Sequence, residues 1–294
     1  MTSPFIASSE LAASLSSLNP PVVLDASLEL HAPACDGDYR MNSGLALWEK
    51  SHIPGSQHVD VATQFSDTSA ATHYAHLEPQ EIANELARIG VAKDAQVVIY
   101  DATGTMWAAR LWYLLSWIGV DARVLDGGLP AWIAAGNGVV EGVLSKPVAV
   151  PSWTVDRPRR AWVSKQELVE RSESDGRPLV CSLPATSFDG SAPSRYARRG
   201  RIPRSVNVSS RDLFGSAGTL KSRMEVILAY QQAGVDVATS ADEVLLYCGG
   251  GISAAAGALA LAAVGVTNVR IYDGSLEEWS ADPSLPLETG PDVS

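Results

Sequence analysis

Val244-Leu245-Leu246-Tyr247-Cys248-Gly249-Gly250-Gly251-Ile252-Ser253 reads as a short apolar strand, a glycine turn and the start of a helix. The strand does not alternate, which suits a parallel strand buried on both faces, and the helical stretch behind it ends near Gly265. The same syntax stands 147 positions earlier, where Val97-Val98-Ile99-Tyr100-Asp101 leads into a helix ending near Gly119. Asp126-Gly127-Gly128-Leu129-Pro130-Ala131-Trp132 returns at the same offset as Asp273-Gly274-Ser275-Leu276-Glu277-Glu278-Trp279. His52-Ile53-Pro54-Gly55-Ser56 returns as Arg201-Ile202-Pro203-Arg204-Ser205 at offset 149, and Val22-Val23-Leu24-Asp25 as Pro178-Leu179-Val180-Cys181 at 156. Four blocks in one order mark an internal duplication. Strands alternating with helices predict an α/β fold: two tandem units, each a mainly parallel sheet flanked by helices. The expected units are 1–140 and 161–294, joined by a surface linker over 141–160. The whole stretch from Gly136 to Arg160 is rich in glycine, proline, valine and charge. Ser164-Lys165-Gln166-Glu167 spells a capping box and should open the first helix of the second unit.

The 294 residues are 46% hydrophobic and 19% charged, enough to bury a core and exclude wholesale disorder. The least polar stretch, Ala254 to Val266, falls well short of the roughly 20 residues that span a bilayer. The start, MTSPFIASSELAASLSS, has no basic residue and fits neither a secretory signal nor a transit peptide, so no membrane and a cytoplasmic address are expected. Net charge is −11, with six Lys/Arg against sixteen Asp/Glu through Gly142, which makes nucleic acid a poor partner. Cys35, Cys181 and Cys248 are too few and too scattered for a disulfide framework or a metal site.

In open α/β sheets the chemistry lies beyond the carboxyl ends of strands, against helix N-termini. Cys248 stands there. Three glycines let the backbone curl with its N–H groups inward, and the helix's positive end favours an anion by up to about 1 kcal/mol. A thiol so placed should ionise more readily than usual, and the thiolate is the nucleophile. Gly249, Gly250, Gly251, Ile252 and Ser253 are the expected anion-binding loop. At the matching place the first unit carries Asp101, which has no such nucleophile, so only the second unit is expected to be active.

The sequence resembles the tandem-domain rhodanese-type sulfurtransferases, which use thiosulfate or 3-mercaptopyruvate. The likeness is carried by Ser-His-Ile-Pro-Gly-Ser (Ser51 to Ser56), Tyr-Cys-Gly-Gly-Gly-Ile-Ser (Tyr247 to Ser253), Tyr-Asp-Gly-Ser-Leu-Glu-Glu-Trp (Tyr272 to Trp279) and the segment Phe65 to Pro79. It covers the chain from about Val22 to Leu287. The resemblance implies two rhodanese-like domains and a persulfide formed on Cys248 from a small anionic sulfur donor. It further implies discharge of that sulfur to a thiol, cyanide or a thioredoxin-like acceptor, with no metal or organic cofactor.

Five arginines within ten positions, Arg195, Arg198, Arg199, Arg201 and Arg204, offer a cationic approach for an anion. The resemblance singles out Arg195 as a carboxylate contact and His76 as a further substrate contact, and Arg204, from the arginine run, is expected to be another. His52 is expected to fix its turn through a backbone hydrogen bond. The chain departs from the family pattern where Ser187 precedes Phe188-Asp189-Gly190, where Arg204 ends the second proline turn, and where Cys181 replaces a strand-end aspartate. The loop carries neither a serine at 250 nor basic residues, which leaves the donor open. A phosphatase would need an arginine six residues beyond the cysteine, where Ala254 stands. The alternative from another class is a non-catalytic rhodanese-like binding or regulatory protein.

Overall fold

Val97–Tyr100 and Val244–Tyr247 are buried at every position, and each lies inside a parallel sheet. The structure, a computed structural model, describes residues 3–142, 147–172, 174–239 and 242–291. Its strands in chain order are β1 (Phe5–Ile6), β2 (Val22–Asp25), β3 (Leu28–Leu30), β4 (Met41–Ser43), β5 (Gln57–His58), β6 (Val97–Tyr100) and β7 (Ala122–Leu125). There follow β8 (Leu179–Cys181), β9 (Val206–Asn207), β10 (Val244–Tyr247) and β11 (Val269–Ile271). One parallel sheet runs β1-β7-β6-β2-β5, the other β11-β10-β8-β9, and β3 and β4 form a small antiparallel pair. Helices flank both sheets, as the alternation predicts.

The repeated blocks make repeated contacts. Tyr100 Oη accepts from Ile53 N and bonds Ser56 Oγ at 2.9 Å; Tyr247 Oη accepts from Ile202 N and bonds Ser205 Oγ at 2.7 Å. Trp132 Nε1 donates to the Gly138 carbonyl and Trp279 Nε1 to that of Pro286, both at 2.8 Å. The helices Met106–Trp117 and Ile252–Ala263 pack against each other, so one core runs through both halves. The second helix is rich in small buried alanines, while its Gly257 faces Ser182, Leu246 and Tyr230 of its own half. Trp107, Trp112 and Trp117 are buried in that core, as their helical spacing predicts. The chain from 147 to 160 has no regular structure and runs largely exposed; residues 143–146 of the expected linker lie outside the described residues. Among the described residues no helix is long and apolar enough to cross a membrane.

The predicted capping box forms by half. Ser164 Oγ accepts from Glu167 N at 3.1 Å and opens the helix Lys165–Val169, but the Glu167 carboxylate turns to arginines instead of back to the cap. Arg270 Nη2 and Arg177 Nη1 each bond it at 2.7 Å. The Arg270 hydrogen bond, reinforced by Arg177 against partial desolvation, pulls the Glu167 carboxyl down to about 2 from its ordinary 4.5. A depressed carboxylate contributes stability that is full above the unfolded-chain value and drains away as pH falls through the folded one. Urea midpoints are therefore expected to fall between pH 4.5 and 2, and Glu167→Gln to start lower at pH 7 but fall less over that window. Parallel pH curves for the two proteins would contradict this.

Candidate active site

Asp101 directly follows β6 and is 1% exposed. Its carboxylate is fully engaged: Oδ1 accepts from Thr103 N and Thr105 N, each at 2.9 Å, and Oδ2 from Trp107 N at 3.1 Å and Ala108 N at 2.9 Å. The turn and the first turn of the following helix thus form an amide cradle, and the anion in it is supplied by the chain itself.

Cys248 directly follows β10 at the corresponding place. By the 147-residue offset the cradle amides become those of Gly250, Ile252, Ala254 and Ala255. Ala255 N donates to the Gly251 carbonyl, but among the described residues the N–H groups from Gly249 to Ala254 have no acceptor in the protein. The loop is clamped by the first residues of the helix Ser275–Ala281. Cys248 N donates to Ser275 Oγ at 3.1 Å, while Leu276 N and Glu277 N donate to the carbonyls of Cys248 and Gly249. This is the structural work of the repeated Asp-Gly block. In the first half Leu129 N donates to the Asp101 carbonyl in the same manner.

Behind the loop lies a buried ion pair that joins the halves. Arg110, fully buried on the helix Met106–Trp117, bonds Asp273 Oδ1 at 2.6 Å and the Tyr74 carbonyl at 2.6 Å. Gly251 has φ of +80°, and a Cβ there would fall 2.6 Å from Asp273 Oδ1 and 2.8 Å from Arg110 Nη1. Only glycine lets the loop rest on this pair.

In front of the loop a cavity of about 530 Å³ opens between the halves, lined by Cys248, Gly249, Gly250, Ile252 and Ser253 and by segments 28–33, 183–187 and 192–196. Cys248 is 1% exposed: it packs on the core behind it and lines this cavity on the other side. Arg195 lines the wall. Its Nη2 donates to the His31 carbonyl at 2.9 Å, its guanidinium lies 5.4 Å from the Tyr39 ring centroid, and its buried Nη1 has no partner. Ser187 is also on the wall.

Two expected substrate contacts do not reach the cavity. Arg204, exposed and in the left-handed region at φ 58°, donates to the carbonyls of Arg171 and Ser172, each at 2.8 Å. His76 is held in the interface between the halves, stacked on Trp162 and edge-on to Trp117, with its N–H donating to Asp273 Oδ2. It braces the loop's support and is not among the residues lining the cavity. Of the other arginines in the run, Arg198 and Arg201 are spent on nearby carbonyls, and Arg199 lines the cavity while paired with Asp36. Sequence reasoning missed Arg211 and Tyr196, both on the cavity wall. Arg211 lies outside the arginine run, and Tyr196 gave no signal except the glycine at 249 against which it packs. His52 behaves as expected, its Nδ1 2.8 Å from the Trp48 carbonyl.

A model of the rhodanese-like domain family matches residues 9–135 and again 165–282. The chain is 30% identical over 291 residues to the putative thiosulfate sulfurtransferase SseB of Mycobacterium tuberculosis, covering 97% of this chain and 96% of that one. It is 30% identical to the 3-mercaptopyruvate sulfurtransferase of Escherichia coli K12 over 241 residues, 81% of this chain and 83% of that one. Among solved structures, SseA from Escherichia coli superposes with a TM-score of 0.77 at 26% identity, covering 93% of this chain and 99% of that one.

Proposed function

The chain belongs to the rhodanese-like family, carrying its domain twice, and on that premise we propose that the second domain transfers sulfane sulfur through a persulfide on Cys248. The protein is a sulfurtransferase. One observation carries the assignment of the site: where the first domain holds a carboxylate on four amides, the second has a cysteine, and among the described residues the N–H groups from Gly249 to Ala254 have no acceptor.

The Cys248 thiolate attacks the outer sulfur of an anionic donor, forming a new S–S bond. The bond from that sulfur to the rest of the donor breaks, its electron pair leaving on sulfite from thiosulfate, or on the enolate of pyruvate, which then takes a proton from water. The amides of Gly250, Ile252 and Ala254 stabilise the persulfide anion. A thiolate, cyanide or thioredoxin-like acceptor then attacks the outer sulfur, and the pair of the S–S bond returns to Cys248. Asp101 fills its own cradle and has no sulfur to load, so the first domain serves as scaffold and supplies one wall of the cavity.

Arg195 is the anchor for the donor's anionic end, with its unpartnered Nη1 as the available donor. A charge-assisted hydrogen bond contributes about 1.5–3 kcal/mol. Arg195→Leu is therefore expected to raise KM for 3-mercaptopyruvate about 10- to 100-fold with a smaller change in kcat. An unchanged KM in steady-state kinetics would remove Arg195 from the site. Side-by-side thiocyanate formation from cyanide with thiosulfate and with 3-mercaptopyruvate tests the function itself and ranks the donors. Turnover of neither would favour the non-catalytic reading.

A further inference from the structure

Tyr196 lines the cavity, and its hydroxyl meets the loop at Gly249, the residue directly after the nucleophile. A Cβ built on Gly249 would fall 1.6 Å from Tyr196 Oη and 2.3 Å from its ring carbon Cζ. The hydroxyl thus rests on the α-carbon next to Cys248, in the space where any side chain at 249 would begin. Among the described residues this hydroxyl has no hydrogen-bond partner, although the tyrosine lines the same cavity as Cys248. Its backbone is fixed, since Tyr196 N donates to Ser194 Oγ at 3.0 Å. Burial, and after it the charge of Cys248, push the phenol's pKa far above its ordinary range, so the group remains an O–H donor and never a phenolate at working pH.

A fixed, protonated donor with no partner among the described residues, at the lip of an anion cradle, is free to bond an acceptor that enters with the substrate. We propose that the Tyr196 hydroxyl is a catalytic hydrogen-bond donor to the leaving group, bonding the oxygen on which negative charge grows as the sulfur departs. In both donor classes that oxygen is near the transferred sulfur: a sulfonate oxygen when sulfite leaves, the carbonyl oxygen when an enolate leaves. The proton stays on Tyr196. Only a hydrogen bond strengthens while the S–S bond to Cys248 forms and the donor's own bond to that sulfur breaks. No such oxygen leaves when cyanide takes the sulfur from the persulfide, so the second half-reaction does not use the tyrosine.

This proposal rests on the persulfide reading, and the half-reactions separate the two. Tyr196→Phe keeps the ring that packs on Gly249 and removes only the hydroxyl. Rapid-mixing single turnovers, followed by intact mass, are expected to show Cys248 loading slowed about tenfold or more with both thiosulfate and 3-mercaptopyruvate. Discharge of the preloaded variant to cyanide should match wild type. Unchanged loading overturns the proposal. So does an equal slowing of loading and discharge, which marks a packing role. If wild-type protein gains no sulfur from either donor, the persulfide reading falls, and the role of Tyr196 with it.

Discussion

Cys248→Ser is expected to lower thiocyanate formation at least 10³-fold with either donor, while Cys35→Ser and Cys181→Ser stay active. A serine hydroxyl is almost wholly protonated at neutral pH and cannot carry a persulfide, so neither half-reaction has a substitute route. The other thiols are unsuited for different reasons. Cys181 is sealed in the core at the end of β8, and burial pushes its thiol up to about 12. Cys35 is exposed and is not among the residues lining the cavity. Cys181→Ser places a hydroxyl in the core and should cost about 1–3 kcal/mol of stability, which a thermal melt separates from any loss of activity. Activity surviving in Cys248→Ser would place the chemistry elsewhere.

Arg110→Met is expected to give the largest loss of stability of any single change near the site. The arginine is wholly buried, and its partner Asp273 comes from the other half of the molecule at 2.6 Å. Removing one member of such a pair strands the other and costs about 3–5 kcal/mol. For a chain of this size that corresponds to roughly 10 °C in the melting midpoint. Activity should fall further than stability, because Gly251 rests on this pair and His76 N bonds the same aspartate. Arg110→Met combined with Asp273→Asn should recover part of the loss, since no bare charge is left buried. Equal midpoints for wild type and Arg110→Met would show the pair to be idle.

Much of this arrangement was legible in the sequence because duplication supplies its own control. The four echoed blocks become equivalent strands, turns and tyrosine–serine contacts, and Asp101 marks the place of Cys248 before any coordinates are known. What stayed hidden depends on closure of the chain over long distances. Arg110 sits within a row of tryptophans, and nothing local announces a partner 163 residues away. Arg204 and His76 looked like substrate contacts because residue type and position matched, yet their hydrogen bonds go to backbone carbonyls and to a bracing aspartate. The capping spelling at Ser164 kept only its serine half, because two arginines from elsewhere compete for the Glu167 carboxylate. Tyr196 was invisible for the same reason, since a glycine two strands further along the chain defines its place.

The most direct measurement is peptide-resolved mass spectrometry of wild-type protein after donor treatment and removal of excess. One added sulfur should be found on the peptide containing Cys248, absent from those of Cys35 and Cys181, and lost on brief exposure to cyanide. Sulfur carried on either of the other cysteines, or on none while thiocyanate is still being made, would contradict a persulfide held in the amide cradle of the second domain.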